Sequence, residues 1–259
     1  MPITNKQPLF YQGDNKKVGC LLIHKFTGTP INLMPIANIF MQYGFTVYAP
    51  VLKGHGTKQS DLLNATYLDW IHDVKNAIAK LKEMGLSEII VCGHSYGGLL
   101  ALYLAENDPC VKAVLPINAP IRVHDSSIYY CWRLPHINKY KSFPYSQYEN
   151  FTEYNSAYDS FPISKQKDLC MLMNMVEKNF GKITCPMLVV QSKKDEIVRT
   201  KSAWMICERT NAQRKEVLLL KDSGHDFMLG NENEKVETKI HSFLHNIGYT
   251  LPYEEIENE

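Results

Sequence analysis

Val91-Cys92-Gly93-His94-Ser95-Tyr96-Gly97-Gly98-Leu99-Leu100 is the stretch on which the fold turns. The apolar run Ile89 to Cys92 reads as a short buried strand, and Leu99 to Glu106 as a helix. Between them lies a Gly-x-Ser-x-Gly turn, tight enough to force its central residue into a strained backbone conformation and lift the Ser95 hydroxyl clear of the sheet. Gly93 and Gly97 are needed because a Cβ at either place would run into neighbouring chain. Gly98 lets the following helix approach the sheet closely. Strand, turn and helix in immediate succession are far more specific than the serine pattern alone.

The same texture extends outward. Val18 to Ile23, Phe45 to Pro50, Val111 to Ile117, Pro186 to Gln191 and Glu216 to Leu220 are apolar runs of strand length. Helical periodicity occupies about 32–43, with Leu33, Ile36, Ala37 and Phe40 on one face, about 67–84, with Ile71, Val74, Ile78 and Leu81, and about 232–245. Continuously hydrophobic strands alternating with helices predict an α/β fold with a mostly parallel central sheet covered on both faces. The alternation breaks between about 121 and 183, where no strand is expected. Seven of the 15 tyrosines fall there, with Trp132, Phe143, Phe151 and Phe161. This divides the chain into a core of 1–120 and 184–259 and an inserted lid, or cap, of 121–183. An insertion at the carboxyl end of a strand lies beside the crevice where such sheets bind ligands, and this one would supply an apolar roof.

Composition narrows the function classes. A chain of 259 residues with 45% hydrophobic and 21% charged content suits one soluble domain with a sizeable core. A net charge of +1 without a basic cluster argues against nucleic acid as a partner. No apolar run reaches the roughly 18–20 residues that span a bilayer, so no stable membrane insertion is expected. Met1 to Lys6 lacks the layout of a signal peptide. The 7 cysteines are odd in number and have no Cys-x-x-Cys spacing, and several sit in apolar strands as small hydrophobes. These features predict a cytoplasmic protein with no disulfide framework and no metal.

A serine hydroxyl becomes nucleophilic near neutral pH only with a base in hydrogen-bond reach, itself oriented by a carboxylate. Of the 9 histidines, His225 in Asp222-Ser223-Gly224-His225-Asp226 is best placed, in a loop after the last strand and before the last helix. His94 adjoins Ser95, but neighbouring side chains on such a turn diverge, so it is expected to shape the elbow. His24 and His55 are expected to make structural hydrogen bonds, and His241 and His245 to lie on the surface. For the acid, Asp195 follows the 186–191 strand, giving the chain order serine, acid, histidine, with Glu196 as its neighbouring rival. A tetrahedral oxyanion needs two aimed N–H donors, and losing one typically costs about 3–4 kcal/mol in the barrier. Tyr96 at its helix N-terminus and Phe26 in the loop after the first strong strand are the natural suppliers.

Taken together, Phe26-Thr27-Gly28-Thr29-Pro30, Leu52-Lys53-Gly54-His55-Gly56-Thr57, Asp69-Trp70, Gly93 to Gly98, Leu102 to Glu106, Asp195-Glu196 and Ser223-Gly224-His225 resemble the α/β-hydrolase superfamily. Within it, the chain is similar to small bacterial carboxylesterases and monoacylglycerol lipases, almost throughout outside the lid. The resemblance implies cofactor-free hydrolysis of carboxylic esters through an acyl-enzyme. It makes Ser95 the nucleophile, His225 the base, Asp195 the acid, and Phe26 and Tyr96 the oxyanion donors. It also offers Asp159 as a contact to a glycerol hydroxyl. Esters of short to medium acyl chains are the small-molecule partner expected, with a homodimer as the assembly kept open. Acyl transfer, thioester or amide cleavage by the same triad, and a non-catalytic ligand sensor on this fold, are the alternatives.

One residue departs from the pattern. The family usually reads His-Gly-Phe in the oxyanion loop, where this chain has His24-Lys25-Phe26. Either Lys25 accepts the required backbone and points its ammonium to solvent, or the loop differs and the second donor is misplaced. On the sequence alone, Lys25→Gly is expected to leave ester hydrolysis unchanged or raise it, a comparison that kcat/KM of the two proteins decides.

Overall fold

A computed structural model of the chain describes residues 7–133, 140–142, 158 and 160–252. The central sheet has seven strands in the order β1-β3-β2-β4-β5-β8-β9. These are β1 (Leu9–Tyr11), β2 (Val18–Ile23), β3 (Thr46–Ala49), β4 (Glu88–His94), β5 (Val111–Ile117), β8 (Met187–Ser192) and β9 (Lys215–Leu220). β1 pairs antiparallel with β3 and every other pairing is parallel, as the sequence leads one to expect of this sheet. β1 itself is too short to announce its periodicity. The helices are α1 (Met34–Gln42), α2 (Tyr67–Glu83), α3 (Tyr96–Asn107), α4 (Lys165–Asn179), α5 (Lys201–Arg209) and α6 (Asn233–Asn246).

The alternation of side chains along each strand sorts the apolar residues into two cores, one per face. Leu21, Ile23, Ile89, Val91 and Val189 join Trp70, Val74, Ile78, Leu99, Leu102, Leu172 and Ile206 from α2, α3, α4 and α5. Cys20, Leu22, Ile90, Cys92, Leu188 and Val190 join Ile36, Phe40, Ile240 and Phe243 from α1 and α6. Every residue of β2 and β8 is buried, which is why those strands read as unbroken hydrophobic runs. α2 starts where the Thr66 side chain accepts the Asp69 N–H while the Asp69 carboxylate accepts the Thr66 N–H, a reciprocal cap.

The expectation that 121–183 holds no strand is wrong. β6 (Tyr140–Ser142) and β7 (Ser160–Pro162) form a two-stranded antiparallel ribbon with Lys141 opposite Phe161. Three-residue strands are too short for alternation to be seen against a background of mixed aromatics. α4 then packs on α3, and the Arg122 guanidinium donates two hydrogen bonds of 2.7 and 2.8 Å to Glu177 on α4. No helix among the described residues is long and apolar enough to cross a membrane.

The strand order places the site. From β2 the chain steps outward to β3 and returns on the other side as β4, so the carboxyl ends of β2 and β4 lie side by side. Ile23 is the register partner of Gly93. The crevice at such a switch point is where open α/β sheets carry their chemistry.

At the far end of α3, Glu106 is 8% exposed and neither carboxyl oxygen has a hydrogen-bond partner. Burial pushes its pKa from 4.5 up to about 8, against the pull of Lys182. The proton kept by the folded state therefore stabilises it on the acid side, and this advantage is lost as pH rises through about 8. Glu106→Gln is expected to leave the Tm at pH 4 unchanged and to raise it by about 10 °C at pH 9, read by thermal unfolding.

Candidate active site

β4 ends at His94, α3 begins at Tyr96, and Ser95 between them has φ 54° and ψ −119°. The reason is close packing of backbone. A Cβ on Gly93 would lie 2.0 Å from the Gly97 carbonyl oxygen, and one on Gly97 would lie 2.1 Å from that of Ile23. No side chain fits either gap, so the turn closes down and Ser95 takes the strained conformation. Its N–H donates to the Ile117 carbonyl at 2.7 Å, which ties the elbow to β5.

His225 arrives from the loop after β9. Its Nε2 lies 2.8 Å from Ser95 Oγ, and its Nδ1 lies 3.0 and 2.9 Å from the two carboxylate oxygens of Asp195. Asp195 sits in the turn after β8, where Oδ1 accepts the Ile197 and Val198 N–H groups at 2.9 and 2.7 Å. An ionised carboxylate can only accept, so Nδ1 carries the proton and Nε2 faces the serine as a base. Burial pushes the His225 pKa down, but the charge and hydrogen bond of Asp195 more than offset this. Asp226 adds to the rise and Lys25 subtracts from it, leaving the imidazole above the ordinary histidine value.

The histidine is positioned chiefly through its main chain. The His225 carbonyl accepts from Asn118 Nδ2 at 2.8 Å and from His94 Nε2 at 3.0 Å, and its N–H donates to Glu196 at 3.0 Å. Glu196, the rival for the acid, thus holds backbone rather than imidazole. His94 shapes the elbow as expected, with Nδ1 buried and unpartnered and a pKa lowered by burial to about 3. Asn118 is the residue that sequence reading missed. Its backbone is left-handed, φ 47°, and its amide also accepts the Ser192 N–H at 2.8 Å, joining the ends of β5 and β8 to the histidine loop. An Asn directly after an apolar strand was the signal.

The loop after β2 brings the Phe26 ring to within 6.0 Å of that of Tyr96, centroid to centroid. His24 accepts the Leu52 N–H on Nε2 and donates from Nδ1 to the Lys25 carbonyl at 2.8 Å, and His55 Nδ1 donates to the Lys53 carbonyl at 3.1 Å. Both are the structural histidines expected of those loops. Thr27 is the third residue other than glycine with positive φ among those described, at 63°, joining Ser95 and Asn118 around this one site. As first residue of α3, Tyr96 has a main-chain N–H with no intrahelical acceptor, at the positive end of the helix.

Lys25 corrects the sequence reading. Its ammonium does not point to solvent: the side chain is 1% exposed and forms an ion pair with Asp226, the residue after His225. The expected indifference to Lys25→Gly loses its basis, because that change would withdraw a cation from a buried carboxylate.

Aromatic rings cluster around Phe26. Phe26 meets Trp70, Phe161, His55 and Tyr96 with centroids 5.5–6.0 Å apart. Phe161 comes from β7, and the Tyr158 hydroxyl donates to the Gly54 carbonyl and accepts the Thr57 N–H, both at 3.1 Å. Tyr158 and Phe161 are thereby seated on the loops after β3 and β2. Asp159, the expected glycerol contact, lies outside the described residues.

Comparisons with known proteins agree with this geometry. The family model for serine aminopeptidase, S33, matches residues 14–234. A carboxylesterase of Bacillus subtilis (strain 168) is 28% identical over 249 residues, 96% of this chain and 100% of the relative. A thermostable monoacylglycerol lipase of Bacillus sp. (strain H-257) is 33% identical over 226 residues, 86% of this chain and 88% of the relative. A solved structure of the metagenome-derived lipolytic enzymes LipS and LipT superposes with a TM-score of 0.85 at 27% identity, covering 93% of this chain and 98% of that one. The chain belongs to the S33 serine aminopeptidase family of α/β hydrolases.

Proposed function

We propose that this α/β hydrolase is a serine carboxylic ester hydrolase acting on esters of short to medium acyl chains, monoacylglycerols among them. The observation that carries the reading is the unbroken row from Ser95 Oγ through the His225 ring to Asp195, with contacts of 2.8 and 2.9 Å. Its relatives named as a carboxylesterase and a monoacylglycerol lipase support the ester as substrate. Cys20, Cys92, Cys110, Cys170, Cys185 and Cys207 are free thiols, which supports a reducing, cytoplasmic setting.

In this reading His225 Nε2 takes the Ser95 proton as Oγ attacks the ester carbonyl, and Asp195 stabilises the imidazolium that forms. The carbonyl oxygen becomes an oxyanion facing the Phe26 and Tyr96 N–H groups. Collapse transfers the imidazolium proton to the departing alkoxide and leaves Ser95 acylated. Water, deprotonated by the same imidazole, then releases the acid and regenerates the serine. The ring cluster of Phe26, Trp70, Tyr96 and Phe161 gives the acyl chain its apolar surroundings.

Ser95→Ala is expected to abolish covalent labelling by a fluorophosphonate and to lower kcat by about 10⁴-fold or more. Labelling or turnover that survives this change would overturn the assignment. In a series of p-nitrophenyl esters and monoacylglycerols, each added CH₂ that is buried contributes about 0.8 kcal/mol, about fourfold in kcat/KM. The gain is expected to stop at medium length. Steady improvement to the longest, insoluble chains would refute a compact acyl pocket.

A further inference from the structure

Lys25 and Asp226 are each one residue away from a group the reaction needs. Lys25 precedes Phe26, the proposed oxyanion donor, and Asp226 follows His225, the proposed base. Their side chains are 1% and 8% exposed, and they meet as an ion pair between loops that lie 201 residues apart in sequence. Around the Lys25 main chain the loop is fixed as well. Its carbonyl accepts from His24 Nδ1 at 2.8 Å and from the Gly28 N–H at 3.0 Å. A buried charge deprived of its partner is strongly destabilising, whereas a matched pair is tolerated. Both charges also lie close enough to His225 and His94 to act on their protonation.

We propose that the buried Lys25–Asp226 ion pair is a positioning device for the reaction. It clamps the oxyanion loop to the histidine loop and balances the electric field at the base, so that the carboxylate beside His225 is offset by a cation beside Phe26. The inference rests on the function proposed above. Among the described residues, charged and titratable groups that bear on the His225 ring include Asp195 at Nδ1, the Asp226 and Lys25 pair, and His94, whose ring centroid is 5.3 Å away, while Glu196 holds the His225 N–H. Burial would push Asp226 up, but the Lys25 charge keeps its carboxyl at about 2, so that carboxylate stays charged across the working range. His94 and His24, both lowered by burial to about 3, stay neutral there and leave the pair as the adjustable source of field.

The signs separate this role from simple stabilisation. Lys25→Met leaves the carboxylate beside the base without that cation, which favours the imidazolium and moves the acid limb of kcat/KM to higher pH. Asp226→Asn leaves the cation, which disfavours the imidazolium and moves the same limb to lower pH. Shifts of about half a pH unit or more are expected in each direction. The double variant Lys25→Met/Asp226→Asn is expected to return the limb to the wild-type position, and Lys25→Arg to keep it there. Should Lys25→Met fail to fold, Asp226→Asn against the double variant carries the same test.

Fluorophosphonate capture at Ser95 in the wild type is measured first. A wild type without Ser95-dependent turnover defeats the functional reading itself. An active wild type whose variants keep coincident pH profiles, or shift in the same direction, overturns the role of the ion pair alone.

Discussion

Two backbone carbonyls set the terms for the rest of this site. Those of Gly97 and Ile23 lie where the Cβ atoms of residues 93 and 97 would be, at 2.0 and 2.1 Å. Such an approach is available only to glycine, and it brings the first turn of α3 down onto the ends of β2 and β4. Once the chain is that tight, Ser95 has nowhere to go but a positive φ, and its hydroxyl stands up from the sheet. The same contact places the loop after β2 beside the serine turn. The Ser95 elbow and the seating of the loop after β2 thus come from a single packing constraint and not from two independent ones.

The remaining members arrive on loops and are held by polar groups that have been withdrawn from water. Asn118, His94 and Glu196 spend their hydrogen bonds on the main chain of His225, and Ile197 and Val198 aim Asp195 with their N–H groups. A side chain fixed at its backbone and at its ring has little rotamer freedom left to lose when substrate arrives, which is the sense in which such a site is preorganised. The strain collects here too, with Thr27, Ser95 and Asn118 all in the left-handed region.

Much of the sheet was legible because its strands are buried on both faces and therefore read as uninterrupted apolar runs. The bounds 18–23 and 111–117 read from sequence coincide with β2 and β5. What carried no period was lost: β1, β6 and β7 span three residues each. In the site, Ser95, Asp195 and His225 were legible from loop position and chemistry, and the structure brings the three together. Lys25 was misread for a physical reason. A lysine in a loop is ordinarily solvated, and its burial depends on Asp226, a partner 201 residues away that no local pattern can disclose. Asn118 was passed over for the same cause, since its worth lies in the strand ends it joins.

Electrostatics explain why one imidazole among several is suited to move a proton. His24, His55, His94 and His225 are all nearly inaccessible, with ring centroids 5.0 Å apart in the first pair and 5.3 Å in the last. Burial takes His24 and His94 to about 3 and His55 to about 4, because none of these rings hydrogen-bonds a carboxylate and the pull of Asp226 on His94 does not offset its burial. Only His225 meets Asp195, and only its pKa rises. Desolvation alone would silence all four, so a single well-placed carboxylate is enough to choose among them. The three silent rings are thereby free to act as fixed hydrogen-bonding struts, and a proton leaving Ser95 has one favourable place to go.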